Sequence, residues 1–410
     1  MNTSQFQPEP LAGAGAQSIR SGPPEPHGHV MVPPLCARCI YDSSVPGIVF
    51  DGDGICNYCR LTERLAEDYG TGLPRGEATL EAIFAEVRDR GRRRKYDCVV
   101  GVSGGVDSSF MLHLAVERGL RPLAVHYDNT WNSAIATENI RKITSKLRVD
   151  LSTHVVDNKE IDDIFKSFLL ASVPELDGST DIALAEVLYR AADKHGVKYV
   201  LEGHSFVAEG VSPLGSAYAD GKYIAEIHRR FGTLPMRTFP NMPLSSFLKW
   251  VVLKRIRKIR PYWYIAYSKE EARALLTRTY GWQYYGGHHL ENRMTAINHS
   301  FYFPVKFGID QRNNALSALV RSGRLGRDEA LEAYRTPPYL EPELLAYFKK
   351  RLGLSDDEFD RLIAVPGKSY RDYPTYKQTF ERLRPLFYLL AKTNLVPMSF
   401  YVKYCSPTEM

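Results

Sequence analysis

The sequence predicts an α/β protein built on a doubly wound parallel sheet, and three observations carry that expectation. Short apolar runs at 98–102, 123–126, 153–156 and 199–201 alternate with longer stretches of helical spacing. The first run passes through Ser103-Gly104-Gly105-Val106-Asp107-Ser108 directly into a helical stretch at 109–118. Polar residues collect just beyond the runs, where ligands of such sheets sit. His126-Tyr127-Asp128-Asn129 closes the second run, and Glu202-Gly203-His204-Ser205 closes the last.

Composition bounds the rest. A chain of 410 residues, 44% hydrophobic and 24% charged, has ample material for a core, in one large domain with additions or two to three small ones. A net charge of +6 permits phosphate-bearing partners but requires none. Without an apolar run of about 18 residues, no membrane-spanning helix is expected. The N-terminus lacks a basic segment followed by an apolar one, so no signal peptide is expected. Six cysteines, four of them in two CxxC pairs, point to metal binding in a reducing compartment, hence to the cytoplasm.

In chain order, residues 1–34 are rich in Pro, Gly, Ala, Ser and Gln and read as a disordered tail. Residues 35–62 hold Cys36-Ala-Arg-Cys39 and Cys56-Asn-Tyr-Cys59, sixteen residues apart. That spacing lets four thiolates close on one structural Zn²⁺ with no position left open, although four thiolates can equally hold an iron–sulfur cluster. Turn residues at 46–47 and 51–54 suit a hairpin joining the pairs. Residues 61–94 are expected to be helical, with the basic run 92–95 a solvated helix end. The nucleotide domain is assigned to 63–210, and 211–410 to a mostly helical region for substrate and partners.

The turn at 103–109 is where chemistry is expected. A strand that feeds a glycine turn into a helix start converges backbone N–H groups and the positive helix end on one point, which suits an anion. The turn lacks the lysine and spacing of a Walker A loop, so γ-phosphate transfer is the poorer reading. Farther on, residues 247–259 read as an amphipathic basic helix, with Trp250, Val251 and Leu253 as core anchors. Gly281-Trp-Gln-Tyr-Tyr-Gly-Gly-His-His-Leu-Glu-Asn292 reads as a second site. His288, His289 and Glu291 could ligate metal, but adjacent side chains diverge on a helix, so substrate binding is preferred.

Ser-Gly-Gly-Val-Asp-Ser resembles the loop of the PP-loop ATP pyrophosphatases, which cleave ATP between the α and β phosphates. Taken with the four-cysteine knuckle, Gly203-His-Ser-Phe206, Tyr285-Gly-Gly-His-His289 and Phe307-Gly-Ile-Asp310, the chain over 35–314 resembles the N-acetyl sugar amidotransferases. It departs from their pattern at His288, where a lysine is expected, and at Asn292, where a serine is expected after the acidic residue. The resemblance implies an ATP-dependent enzyme of bacterial O-antigen and surface-polysaccharide biosynthesis. Such an enzyme turns the acetamido group of a nucleotide-activated N-acetyl sugar into an acetamidino group through an adenylated imidate.

The residue roles follow from the resemblance. Ser103, Asp107 and Ser108 would be catalytic, with Asp107 ordering Mg²⁺. Ser103, Gly104, Gly105, Val106, Asp107, Ser108, Ser109, His126, Asp128, Gly203 and His204 would bind ATP. Ser205, Glu209, Tyr285, Gly286, Gly287, His288, His289 and Glu291 would border the sugar. Neither Cys98 nor Cys405 sits in a glutaminase motif, so ammonia would come from a separate glutaminase through a cyclase-like conducting subunit. The segment 249–260 and the charged C-terminal region are the candidate docking faces. No stable nucleic-acid complex is expected, although a tRNA-modifying PP-loop enzyme is the alternative, supported by the basic segment at 249–260.

Overall fold

The alternation inside the apolar runs decides how the sheet is covered. In the computed structural model, described for residues 34–213, 217–287, 290–393, 395–396 and 398–405, five strands form one sheet. They are β1 (Cys98–Gly101), β2 (Pro122–Asp128), β3 (Leu151–Val155), β4 (Tyr199–Leu201) and β5 (Arg257–Ile259), ordered β3-β2-β1-β4-β5 with every pair parallel. Val99, Leu123, Val125 and Val200 join one core layer, while Cys98, Val100, Ala124, Tyr199 and Leu201 join the other. Successive strand side chains point to opposite faces, and here both faces are covered, so the runs read as continuously apolar.

The chain enters through α1 (Asn57–Tyr69) and α2 (Pro74–Gly91). The single helical stretch expected over 61–94 is thus two helices. Gly70 ends the first in the left-handed conformation (φ 62°), and Pro74 opens the second, where its missing N–H costs nothing. With α2, the helices α3 (Val106–Glu117) and α4 (Ala134–Leu147) cover one face of the sheet. The other carries α5 (Asn158–Ala171), α6 (Gly178–Lys194) and α7 (Gly221–Phe231). β1 lies between β2 and β4, so the strand order reverses beside it, at the switch point where such sheets bind ligands.

Residues 247–259 are not a continuous basic helix: α8 (Leu244–Leu248) passes through a π-helical turn at Lys249–Leu253, and Arg257–Ile259 then joins the sheet as β5. The Trp250 indole donates to Glu186 Oε2 at 2.8 Å, and Arg255 turns the chain at φ 50°. Trp250 and Val251 are buried as expected, but Leu253 is 77% exposed. Much of the charge is spent within the fold, in Lys254–Asp193 at 2.7 Å and Lys258–Glu202 at 2.6 Å.

Beyond β5 the described chain is helical, as expected for this region. It runs through α9 (Lys269–Tyr280), α10 (Arg293–Ile297), a π-helical stretch at Asn298–Phe307, α11 (Arg312–Arg321), α12 (Arg327–Arg335), α13 (Leu344–Leu352) and α14 (Asp356–Ala364). It ends with α15 (Lys377–Arg382), α16 (Arg384–Lys392) and α17 (Met398–Cys405). Helix α9 joins the α2–α3–α4 layer through Ala272, Leu276 and Tyr280. Tyr302, Phe348, Phe359 and Phe387 belong to the same core as the α5 side chains. No described helix is long and apolar enough to cross a membrane. The tail expected at 1–34 lies, Pro34 apart, outside the described residues.

Candidate active site

Residues 102–105 link β1 to α3, and Gly105 is the N-cap. The helix begins at Val106, three residues earlier than expected, so Asp107 and Ser108 lie in its first turn. Ser108 Oγ closes the loop on itself, accepting from Ser103 N at 3.1 Å and lying 3.2 Å from Ser103 Oγ. Gly104 has φ 82°, and a Cβ there would lie 2.2 Å from the Ala136 carbonyl of α4, so only glycine fits. Its own carbonyl accepts from Trp282 Nε1 at 3.0 Å and Asn139 Nδ2 at 3.3 Å. The loop is therefore pinned from behind, which keeps its amides in place.

Asp107 sits in a compact array of charges. Its Oδ2 lies 2.9 Å from Lys269 Nζ, and its Oδ1 accepts from Tyr267 OH at 2.6 Å. Lys269 Nζ also meets Glu209 Oε1 at 3.0 Å, so one ammonium bridges two carboxylates. Tyr262 OH donates to the Asp107 carbonyl at 2.8 Å and its ring stacks on Tyr267 at 3.9 Å. Burial pushes the Asp107 carboxyl up against the pull of Lys269, and the nearby Glu209 charge adds to the rise. Burial works against the Lys269 ammonium too, but the two carboxylates outweigh it and hold its pKa above the ordinary lysine value.

The ends of β2 and β4 flank this array. His126 donates from Nδ1 to the Val102 carbonyl at 2.8 Å and accepts at Nε2 from Asn132 Nδ2 at 3.2 Å. Burial lowers its pKa, so the ring is a neutral brace between β1 and the segment after β2. Asp128 Oδ1 accepts from Thr130 N at 2.7 Å and Asn132 Nδ2 at 3.1 Å. At β4, a Cβ on Gly203 would lie 3.0 Å from the Asp107 carbonyl, so glycine lets strand and loop approach. Burial pushes His204 down to about 4, and its Nδ1 accepts from Trp263 Nε1 at 3.3 Å, which leaves the proton of the neutral ring on Nε2. Ser205 Oγ accepts from Ala208 N at 3.2 Å and shapes the turn that presents Glu209.

The second stretch reaches the loop as well. Asn132 and Asn292 form an antiparallel bridge, with Ser133 N donating to the Glu291 carbonyl at 2.8 Å. That places the Glu291 carboxylate and the Tyr285 hydroxyl over Gly105, 3.1 and 3.2 Å from where a Cβ would stand. The Val106 N–H bonds the Tyr285 hydroxyl. Gly286 has φ 99° and Leu290 packs against Gly287. His288 and His289 lie outside the described residues.

The four cysteines come together as the spacing implies. Their sulfurs lie within 4.8 Å of one another, with Cys36–Cys59 at 3.9 Å and Cys39–Cys56 at 3.8 Å. A tetrahedron with metal–sulfur bonds of ~2.3 Å has edges of about 3.8 Å, so the set fits a single ion. Backbone N–H groups of Arg38, Cys39 and Cys56 point at Cys36 Sγ from 3.3 to 3.5 Å, as a thiolate requires.

Sequence reasoning missed Lys269, Tyr267 and Tyr262. A signal for the first was present. Ser268 caps α9 and is followed by Lys269, Glu270 and Glu271, so a cation occupies the helix start, where the dipole disfavours it. The two carboxylates on either side account for it.

Residues 291–385 match a family described as "LPS biosynthesis protein WbpG-like, C-terminal domain". No curated protein sequence matches the chain. Among solved structures, the chain is similar to the NH3-dependent NAD synthetase of Campylobacter jejuni, at 14% identity and TM-score 0.31, over 72% of this chain and 93% of that one. It is also similar to the NMN synthetase of Francisella tularensis, at 13% identity and TM-score 0.26, over 54% and 87% of the two chains. A third is the glutamine-dependent NAD+ synthetase of Acinetobacter baumannii, at 13% identity and TM-score 0.28, over 80% and 53%.

Proposed function

We propose that this chain is an ATP-dependent amidotransferase of lipopolysaccharide O-antigen biosynthesis. It would convert the acetamido group of a nucleotide-activated N-acetyl sugar to acetamidino, with ammonia from a separate glutaminase. The observation that carries the ATP reading is the Asp107–Lys269–Glu209 array, whose Asp107 stands in the first turn of the helix that follows the glycine loop. The sugar reading is supported by the resemblance drawn from the sequence motifs and by the lipopolysaccharide-biosynthesis domain that matches 291–385.

An amide carbonyl is a poor electrophile, and adenylation cures that. The acetamido oxygen attacks the α-phosphorus, the bond to the β-phosphate oxygen breaks, and pyrophosphate leaves. Ammonia then adds to the imidate carbon, AMP departs with the former amide oxygen, and loss of a proton leaves the amidine. In this reading the N–H groups of Gly104, Asp107 and Ser108 hold the departing pyrophosphate, and Lys269 offsets the charge that develops on it. Asp107 and Glu209, already arranged around one cation, would hold Mg²⁺ arriving with ATP. His204, neutral near pH 7, offers its Nε2–H as an uncharged donor. Zn²⁺ on Cys36, Cys39, Cys56 and Cys59 would be structural, since four thiolates fill a tetrahedral shell.

The tRNA-modifying alternative loses one of its supports, because the basic segment is a π-turn and an edge strand with Lys254 and Lys258 paired to acids. Incubation with ATP, ammonium and nucleotide-activated N-acetyl sugars tests the proposal. The expected products are AMP, pyrophosphate and a sugar in which mass spectrometry finds one oxygen exchanged for NH. Sulfur or lysine added to RNA instead would refute it.

A further inference from the structure

We propose that Asn314 is a positioning residue that couples the four-cysteine knuckle to the charge array beneath the phosphate loop. This rests on the ATP reading above, and it gives the knuckle a role beyond stapling the fold. Tyr41, two residues past Cys39, is 1% exposed, and its ring lies under the Arg321 guanidinium at 5.0 Å. Its hydroxyl donates to Asn314 Oδ1 at 2.6 Å. Asn314, on α11, donates in turn from Nδ2 to the Glu209 carbonyl at 2.8 Å. Glu209 then reaches Lys269 at 3.0 Å, and Lys269 reaches Asp107 at 2.9 Å. Every link from the cysteine knuckle to the loop carboxylate is a hydrogen bond or ion pair of ordinary length.

The amide suits the part because it is planar and two-ended. Fixing Oδ1 on Tyr41 fixes where Nδ2 points, and a carboxylate in its place would face the Glu209 carbonyl with an acceptor. The following residue is built for the contact. Gly210 has φ 81°, and a Cβ there would lie 2.4 Å from Asn314 Oδ1, so glycine is what lets the amide close on the backbone. The knuckle also has an independent anchor, since Arg327 donates to the Cys36 carbonyl at 2.8 Å and the Cys39 carbonyl at 3.2 Å. Removing the Tyr41 hydroxyl therefore cuts the coupling without detaching the knuckle.

The experiment compares full-length Tyr41→Phe, Asn314→Ala, the double variant and the isosteric Asn314→Asp with the parent chain. Each single variant should keep about one zinc per chain. Each should lower kcat for pyrophosphate release about tenfold, the worth of one buried hydrogen bond, with KM for ATP little changed. The double variant should be no worse than the worse single, because both cut one chain of contacts. Hydrogen exchange of the amides at 205–210 should quicken in all four variants, a readout that needs no turnover. Unchanged exchange there, or losses that multiply in the double variant, would overturn the coupling. If the parent chain releases no pyrophosphate, the ATP reading fails while the exchange comparison still tests the coupling.

Discussion

At the scale of single residues, Lys269 carries the most chemistry for its size. It neutralises two carboxylates in the resting protein and, in the proposed reaction, the departing pyrophosphate. Lys269→Gln should cut pyrophosphate release by about 10²–10³-fold, the usual cost of losing one preorganised electrostatic partner in a water-poor site. Zinc content should not change, and a variant with parental turnover would remove Lys269 from the mechanism. Asp107→Ala should likewise abolish release. A different residue sets a pH dependence away from the site. Glu175 is 3% exposed, accepts from Tyr218 N at 3.0 Å, and is pushed by burial from 4.5 to about 7. Between those values the folded protein keeps a proton that the unfolded chain releases. The stability this contributes is complete below pH 4.5 and is lost as pH rises through 7, in total about 3 kcal/mol. Glu175→Gln should therefore gain most of that in urea unfolding at pH 8 and almost nothing at pH 4. Equal effects at both would show that burial does not govern this carboxyl.

At the scale of elements, the strand-loop-helix unit at 98–117 was legible because its signals are local: an apolar run, two glycines and a helical period. The knuckle was legible for the same reason. Cysteine spacing encodes the closure directly, and Cys56 even caps α1 through its side chain. Cys56→Ser should reduce bound zinc to well below one per chain by elemental analysis and lower the thermal midpoint, since a structural zinc site contributes folding free energy. A metal-free protein of parental stability would rule the zinc reading out. Residues 247–259 misled because their amphipathic period is compatible with a helix. What decided otherwise was the Trp250–Glu186 bond and a β4 edge able to accept a fifth strand, neither of which is local. Lys269 and Tyr267 escaped for a related reason, since they lie about 160 residues beyond the carboxylate they serve.

At the scale of the molecule, the helical region after 310, expected from sequence to serve substrate and partners, is a set of grips on the elements around the sheet. Arg351 of α13 pairs with Asp162 at 2.9 Å and stacks over Trp131 at 4.2 Å, in the segment that leads from β2 to Asn132. Arg327 of α12 holds the knuckle. Such long-range pairings leave no periodic trace in a sequence. The assembly also bears on nitrogen supply. With Cys98 buried in β1 and Cys405 buried in α17, neither cysteine outside the knuckle is presented as a glutaminase nucleophile. The chain alone should use high ammonium and ignore glutamine, and glutamine should become the better donor only with a partner glutaminase that delivers free NH₃. Hydrolysis of glutamine by the purified chain would contradict this.

In the proposed function the loop at 103–109 directs cleavage between the α and β phosphates of ATP. The direct measurement is the product pair formed by the purified chain with MgATP, ammonium and a nucleotide-activated N-acetyl sugar, resolved by ³¹P NMR. AMP and pyrophosphate in equal amounts, both lost in Asp107→Ala, are the predicted result. ADP and inorganic phosphate would contradict it.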